Sequence, residues 1–246
     1  MWQRLSNDRF TDARLALHWA AQIPSAAGAT LLAPREDASH AALAWDATRG
    51  ALLSETGAAL LVEPFAIAFG AHTFPLDGLT LDAAIAKLAD AVGRGPLARP
   101  THELPDHPVG RGAPFVKPDA RDLAELARWY GDASGALSGT GVVRCWPHHF
   151  DIATLVVLDR DAPLEKARSI GAGMSPGDGS YAEPYFYVTP YPFRDDFALP
   201  SVAPGAWRDS GWKGAVLRSA AVLEGQEAAV TSFLEKALAA SRAMLG

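Results

Sequence analysis

The sequence predicts an α+β fold that consists mainly of antiparallel sheet with flanking helices. Short apolar runs separated by Gly, Pro and Asp are typical of strands joined by tight turns. Other segments place apolar residues three and four positions apart, which is typical of helices that bury one side. With 246 residues, 49% of them hydrophobic, the chain is long enough to bury a substantial core.

Helices are predicted where this spacing coincides with suitable boundary residues. The first begins near Thr11 and ends at Pro24, because proline lacks the amide hydrogen that a helix interior needs. A second covers residues 81–93 and a third begins at Asp119. The last covers residues 224–245, and its predicted buried stripe is Val230, Phe233, Leu234, Ala237 and Leu238.

Strands are predicted from the remaining apolar runs. In the first half of the chain they are residues 27–33, 41–45, 51–54, 59–62 and 65–69. In the second half they are residues 142–146, 150–158, 168–174, 184–189 and 214–219. The turn-forming residues between these runs are those that antiparallel neighbours need.

The order of helix, several strands and helix occurs twice, which favours duplicated halves within one domain. The halves are residues 10–93 and 119–222. The crossover between them, residues 94–118, is rich in proline and is therefore expected to be extended rather than flexible. We expect a single domain over residues 1–246. The alternative is that helix-plus-sheet patterns recur by chance.

Charge and cysteine content narrow the class of protein. The net charge is −6, and Lys and Arg are scattered singly, so we expect no nucleic-acid partner. Cys145 is the only cysteine, which excludes an intrachain disulfide and fits a reducing compartment. No run has the ~20 apolar residues of a membrane helix, and the first residues lack the core of a signal peptide. We therefore expect a soluble bacterial protein of the cytoplasm without a membrane partner.

Several motifs follow one another over most of the chain. They are Leu17-His18, His40, Phe65-Ala66-Ile67-Ala68-Phe69 with His72, the 101–106 crossover, His149-Phe150-Asp151-Ile152-Ala153, Tyr185-Phe186-Tyr187 and Pro190-Tyr191-Pro192. In this order they resemble a family of uncharacterised bacterial proteins that is defined only as a domain of unknown function. The resemblance implies a single domain and the position of the site, and it implies no activity.

Imidazole, carboxylate and phenol groups are dense between residues 144 and 192. Alternate residues of a strand share a face, so we expect His149 and Asp151 to project together. The same holds for Glu183, Tyr185 and Tyr187. We expect these side chains to line one cleft. A cleft with tyrosines beside carboxylates suits a small ligand with polar groups and a flat or apolar body. The predicted ligand-binding residues are His149, Asp151, Glu183, Tyr185 and Tyr187, with Ser175 and Asp178 on a turn at the mouth.

A metal-dependent, hydrolase-like enzyme is the alternative hypothesis for the same residues. His149 and Asp151 form half of a site for a divalent metal such as Zn, Mn or Fe, and Glu183 supplies a third ligand. In that case His149 is a metal ligand or base, Asp151 orients it, and Glu183 is a ligand or acid. The simpler interpretation is that His149 and Asp151 bond to each other and to nearby backbone.

Other motifs give weaker signals. Residues 173–177 match the G-x-S-x-G pattern of serine hydrolases, but Pro176 lacks the amide that the oxyanion hole needs. The α/β-hydrolase fold that uses this pattern also needs a catalytic histidine after the serine, and no histidine follows His149. Cys145 is interpreted as a small buried apolar residue. The His/Asp group at residues 102–107 is interpreted as solvated loop.

Overall fold

A computed structural model describes Trp2, residues 7–99 and residues 101–246, and it shows the predicted α+β fold. Pro100 of the predicted crossover lies outside this range. The helices are α1 (Asn7–Leu31), α2 (Leu81–Val92), α3 (Ala120–Leu137) and α4 (Ser219–Leu245), with a short 3-10 helix at Pro108–Arg111. The strands of the described residues are β1 (Leu43–Asp46), β2 (Ala51–Ser54), β3 (Ala59–Leu61), β4 (Ala66–Phe69), β5 (His72–Pro75), β6 (Arg144–Trp146), β7 (Asp151–Val157), β8 (Ser169–Ser175), β9 (Tyr185–Tyr191), β10 (Ala206–Arg208) and β11 (Gly214–Arg218).

The chain forms two compact units. The amino-terminal unit is the described part of Leu5–Gly131 together with Arg144–Phe150. The carboxyl-terminal unit is Trp2, Asp132–Val143 and Asp151–Gly246. Helix, strands and helix follow one another twice along the chain, as predicted. That the predicted halves superpose, and that the chain forms one domain, stay predictions.

The amino-terminal unit contains strands in the order β6-β1-β2-β3-β4-β5, with every neighbouring pair antiparallel. Helix α1 packs against β2, β3 and α2, and α2 packs against β4. The predicted second helix is confirmed as α2. The Thr80 hydroxyl caps its start, and Gly93 ends it with a φ of 67°. Residues 43–46, 51–54, 59–61 and 66–69 confirm four of the predicted strands to within a few residues.

The prediction that α1 ends at Pro24 is wrong. The helix continues to Leu31 with Pro24 inside it, and the predicted strand at 27–33 is largely helical as a result. Ile23, Ala26 and Ala27 are fully buried on either side of the proline. Burial of this face offsets the cost of a proline inside a helix, which is about 3 kcal/mol and comes from both the lost hydrogen bond and the clash of the ring with the preceding turn.

The carboxyl-terminal unit contains strands in the order β10-β11-β9-β8-β7, again with antiparallel neighbours. Helix α4 packs against β8, β9 and β11. Its backbone leaves helical geometry at Gln226, where φ is 51°. The predicted stripe of α4 is confirmed: Val230, Phe233, Leu234, Ala237 and Leu238 are all buried.

Two of the strands in the described part of the chain were not predicted from the sequence. Strand β5 has mostly exposed residues, and β10 is only three residues long and has no buried residue. Each pairs with one neighbouring strand at the edge of its unit. Residues of such an edge strand can remain exposed, so neither strand contains the apolar run from which strands were predicted. None of the described helices is both long and apolar enough to cross a membrane.

Candidate ligand-binding site

Most predicted site residues lie on one face of the sheet in the carboxyl-terminal unit. Tyr185 pairs with Ser175 and Tyr187 pairs with Gly173 across β9 and β8, so these four residues share a face. Ala153 of β7 pairs with Gly173 and continues the same face. The strand alternation that was predicted for Tyr185 and Tyr187 is therefore confirmed.

The Tyr187 hydroxyl donates a hydrogen bond to Asp151 by reaching across β8. Strand β8 carries Gly173 at the crossing point, where a Cβ would lie 2.6 Å from the Tyr187 hydroxyl oxygen. Any larger residue at this position would obstruct the phenol ring. Asp151 is only 6% exposed, so the phenol supplies a donor that a buried carboxylate requires.

A second phenol–carboxylate pair lies beside the first. The Tyr185 hydroxyl donates to Asp178 Oδ2 at 2.5 Å. Asp178 is held in place because its Oδ1 accepts from the backbone amides of Ser180 and Tyr181 at 2.7 and 3.1 Å. The ring centroids of Tyr185 and Tyr187 are 6.3 Å apart. The predicted turn thus positions Asp178 at an exposed place next to the Tyr187–Asp151 pair.

Aromatic side chains surround these two pairs. Trp212 stacks on Tyr185 with ring centroids 6.2 Å apart and meets Tyr187 edge-on at 6.3 Å. The ring centroids of Tyr181 and Tyr185 are 4.9 Å apart. The Trp212 indole is fixed by its hydrogen bond to Ser180 Oγ at 3.3 Å. We call Asp151, Asp178, Tyr185, Tyr187 and Trp212 the tyrosine site.

Both phenols of the tyrosine site remain protonated at neutral pH. Burial first, and then the charge of Asp151, raises the pKa of Tyr187 well above 10. Burial and the hydrogen bond to Asp178 raise the pKa of Tyr185 in the same direction. Each tyrosine is therefore a hydrogen-bond donor to its carboxylate and not a base.

Ser175 and Glu183 have structural contacts of their own. Ser175 is 4% exposed, and its hydroxyl accepts from the Gly177 amide at 3.2 Å. Glu183 accepts from the Arg218 guanidinium at 2.7 Å and from the Ser219 hydroxyl. Because Ser219 is the first residue of α4, Glu183 links the segment before β9 to the start of this helix.

The expectation that His149 lies on a strand is wrong. Residues 147–150 form a turn, in which the amides of His149 and Phe150 donate to the Trp146 carbonyl at 3.1 and 2.7 Å. Phe150 has a φ of 57°, in the left-handed region. Its buried ring is stacked on His18, with centroids 5.1 Å apart, which holds this conformation. Strand alternation therefore does not apply to His149.

The turn that carries His149 is fixed by two polar side chains of α1 for which no role was predicted from the sequence. His18 Nε2 donates to the Pro147 carbonyl at 2.9 Å, and Gln22 Nε2 donates to the same oxygen at 2.7 Å. His102 Nε2 donates to Gln22 Oε1 at 2.9 Å. His102 is therefore tied to α1 and is not simply a solvated loop residue.

Three partly exposed imidazoles adjoin one another at this turn. The ring centroid of His148 is 4.2 Å from that of His149 and 5.9 Å from that of His102. Burial, and then the charges of His149 and His102, lower the pKa of His148 to about 4. Burial also lowers the pKa of His18 to about 4. His18 and His148 are therefore neutral at pH 7.

The predicted metal site has no geometric support. Within the described part of the chain, no group of three or more His, Cys, Asp or Glu side chains is placed to hold a metal ion. The predicted ligands were His149, Asp151 and Glu183. His149 belongs to the amino-terminal unit, whereas the two carboxylates belong to the other unit.

A cavity of about 610 Å³ lies along α2 in the amino-terminal unit. Its lining includes Ile85, Ala89 and Leu97, and Arg99 pairs with Asp82 at 3.4 Å at its edge. None of the seven predicted ligand-binding residues lines this cavity. The predicted single pocket around His149, Asp151, Glu183 and Tyr185 is therefore not this cavity.

Comparison with known proteins identifies no relative, because no family model, curated protein or solved structure matches the chain. The resemblance to a family of unknown function thus stays an expectation.

Proposed function

We propose that the tyrosine site binds a small organic amine with a flat or apolar body. The observation that carries this proposal is the pair of adjacent phenol–carboxylate hydrogen bonds, Tyr187 to Asp151 and Tyr185 to Asp178. They lie beside Trp212 and Tyr181, which offer aromatic faces. Binding, rather than catalysis, is the function that this arrangement supports best.

The hydrogen-bonding capacity of the site favours a ligand that is rich in donors. A phenol has one proton to donate, and Tyr185 and Tyr187 each give it to a carboxylate. The two phenol oxygens can therefore only accept hydrogen bonds from a ligand. Ionised carboxylates also only accept. An ammonium group has three donors and a positive charge, and it matches this set.

The aromatic groups favour a cation in a second way. The face of an aromatic ring attracts a cation with about 0.5–1 kcal/mol at an exposed position. The faces of Tyr181 and Trp212 already have this role within the protein, because the Arg208 guanidinium carbon lies 5.4 Å from each ring centroid. A ligand with an apolar body would also bury ring surface of Trp212.

The phenols do not support acid–base chemistry at neutral pH. A general base works best when its pKa is near the working pH. The pKa values of Tyr185 and Tyr187 are raised away from that range. The metal-dependent alternative with His149, Asp151 and Glu183 has less support, because no metal-holding group of three or more His, Cys, Asp or Glu side chains occurs among the described residues.

Calorimetric titration with 2-phenylethylamine tests the proposed function, because this probe combines an ammonium group with a flat apolar body. We expect saturable binding to the full-length chain. The Tyr187→Phe variant should bind at least about tenfold more weakly, since hydrogen bonds to charged groups contribute about 1.5–3 kcal/mol. Its far-UV circular dichroism should be unchanged.

Tyr191→Phe is the matched control. Tyr191 lies on the same strand as Tyr187, is 53% exposed, and donates to the Glu165 carbonyl at 3.3 Å. This variant should bind the probe as the wild type does. Absence of saturable binding, or equal binding by wild type and Tyr187→Phe, would contradict the proposal.

The cellular setting is also part of the proposal. Cys145 is fully buried, as predicted, and is the only cysteine of the chain. A single buried thiol supports a protein of a reducing compartment, and we propose the bacterial cytoplasm. Mass spectrometry of the purified protein should find Cys145 as a free thiol.

A further inference from the structure

We propose that Arg208 binds an anionic group of the ligand, so that the ligand is a small zwitterion with an ammonium group and a carboxylate. This inference rests on the proposed function of the tyrosine site.

The Arg208 guanidinium is held on several sides. Its carbon lies 5.4 Å from the ring centroids of both Tyr181 and Trp212, and its Nε donates to the Ser210 carbonyl at 2.8 Å. The turn below it needs Gly211, which has a φ of 73° and where a Cβ would lie 3.0 Å from Arg208 Nη2. A long side chain is thereby fixed in one position on the surface, which has an entropic cost.

No carboxylate offsets this positive charge within the part of the chain that the structure describes. Among these residues Arg208 forms no ion pair, and its two terminal nitrogens make no hydrogen bond. Arg218 provides the contrast, because it lies 5.3 Å from the same Tyr181 ring but pairs with Glu183 at 2.7 Å. The planar guanidinium of Arg208 therefore keeps the two parallel donors that match a carboxylate.

Trp212 connects this arginine to the tyrosine site. Its ring contacts the Arg208 guanidinium and also the rings of Tyr185 and Tyr187. A small zwitterion can therefore place its body on the indole, its ammonium at the acceptors of the tyrosine site, and its carboxylate at Arg208. Opposite charges in the ligand thus meet opposite charges in the protein.

A matched pair of probes tests the anionic subsite. L-phenylalanine differs from 2-phenylethylamine only by a carboxylate, so the ratio of their calorimetric affinities reports the contribution of that group. We expect L-phenylalanine to bind about tenfold more tightly to the wild-type chain, as one charge-assisted contact predicts. In Arg208→Gln the ratio should fall to about one.

Two further variants separate anion binding from structural effects. Arg208→Lys keeps the charge but loses the paired donors, so it should retain only part of the preference for L-phenylalanine. Arg218→Gln removes the neighbouring cation, whose charge is already paired, and should leave the ratio unchanged. Circular dichroism of each variant shows whether the fold is retained.

The outcomes distinguish this inference from the proposed function. If 2-phenylethylamine binds, and Tyr187→Phe weakens it, but the carboxylate adds no affinity, the amine site stands and the role of Arg208 is refuted. The same refutation follows if Arg218→Gln abolishes the preference as fully as Arg208→Gln does. If neither probe binds, both proposals fail.

Discussion

The two faces of the sheet in the carboxyl-terminal unit use the same strands for opposite purposes. One face carries Met174, Phe186, Val188 and Leu217, all with no exposed surface, and α4 packs against these strands. The other face carries glycine at position 173, two tyrosines and a buried aspartate. We call them the helix face and the tyrosine face.

The difference between the faces lies in how they use side-chain volume. The helix face is filled by large apolar groups, and their burial contributes to stability through the hydrophobic effect. On the tyrosine face, Gly173 of β8 has no side chain. Tyr187 of β9 occupies the space above this glycine and so reaches the carboxylate of Asp151 on β7. Stability and ligand recognition are thereby assigned to alternate residues of the same strands.

The largest expected effect comes from a change on the helix face. Phe233 of α4 has no exposed surface, and its ring lies so close to Gly205 that a Cβ there would be 2.5 Å away. Phe233→Ala should lower the free energy of unfolding by about 3–5 kcal/mol, because it leaves a cavity. Urea denaturation measures this change.

Glu235→Ala is the control for that experiment, because Glu235 is exposed on the same helix. It should change the free energy of unfolding by less than about 0.5 kcal/mol. A cost below about 1 kcal/mol for Phe233→Ala would mean that α4 is not the stabilising cover of this face.

A change on the tyrosine face should have a smaller effect on stability and a different cause. Gly173→Ala places a methyl group 2.6 Å from the Tyr187 hydroxyl oxygen and 2.7 Å from the Ala153 Cβ. Such overpacking costs about 1–3 kcal/mol. The same variant should weaken binding of 2-phenylethylamine, since Tyr187 must move away from Asp151.

A double-mutant cycle shows whether Tyr187 is the cause of that cost. In a Tyr187→Ala background the added methyl group no longer meets the ring, so Gly173→Ala should cost less, although contact with Ala153 remains. An equal cost in both backgrounds would show that Gly173 is not required for the position of Tyr187.

The smallest effect is a dependence of stability on alkaline pH, to which Tyr185 and Tyr187 of the tyrosine face contribute. The folded-state pKa values of Tyr185 and Tyr187 are raised, so folding favours the protonated phenols. Their contribution to stability is complete below the unfolded-state pKa of about 10 and is lost as the pH rises above it. No such loss is expected near neutral pH.

Ultraviolet absorbance of phenolate, followed with circular dichroism, measures this dependence. In the wild type, part of the absorbance change should appear only together with unfolding. The Tyr185→Phe/Tyr187→Phe double variant should lack that part. If its titration curve keeps a component coupled to unfolding, other groups are responsible.

Local patterns predicted both faces of this sheet. Alternation placed Tyr185 and Tyr187 on one side of β9 and Phe186 and Val188 on the other, and the spacing of apolar residues located α4. These predictions succeeded because the period of a strand or a helix relates residues that are close in sequence. The hydrogen bond between Tyr187 and Asp151 was harder to predict. It depends on a residue of the strand between them, because Tyr187 reaches Asp151 only where Gly173 is small.

Other parts of the site could not be predicted, for two physical reasons. Trp212 and Arg208 reach the tyrosines through strand pairing of residues far apart in sequence, and no local pattern marks them. His149 was assigned to a strand because the left-handed backbone of Phe150 has no sequence signal such as glycine. A useful signal was missed in α1, where His18 and Gln22 are polar residues one turn apart on a buried face.

The Pro147 carbonyl determines where protons sit on two imidazole rings. A carbonyl oxygen cannot donate, so His18 must carry its proton on Nε2, and the Gln22 amide must turn its nitrogen toward the same oxygen. Gln22 then presents Oε1 to His102, which must also carry its proton on Nε2. One backbone atom therefore selects the tautomer of both histidines, and a second proton can reach either ring only at Nδ1.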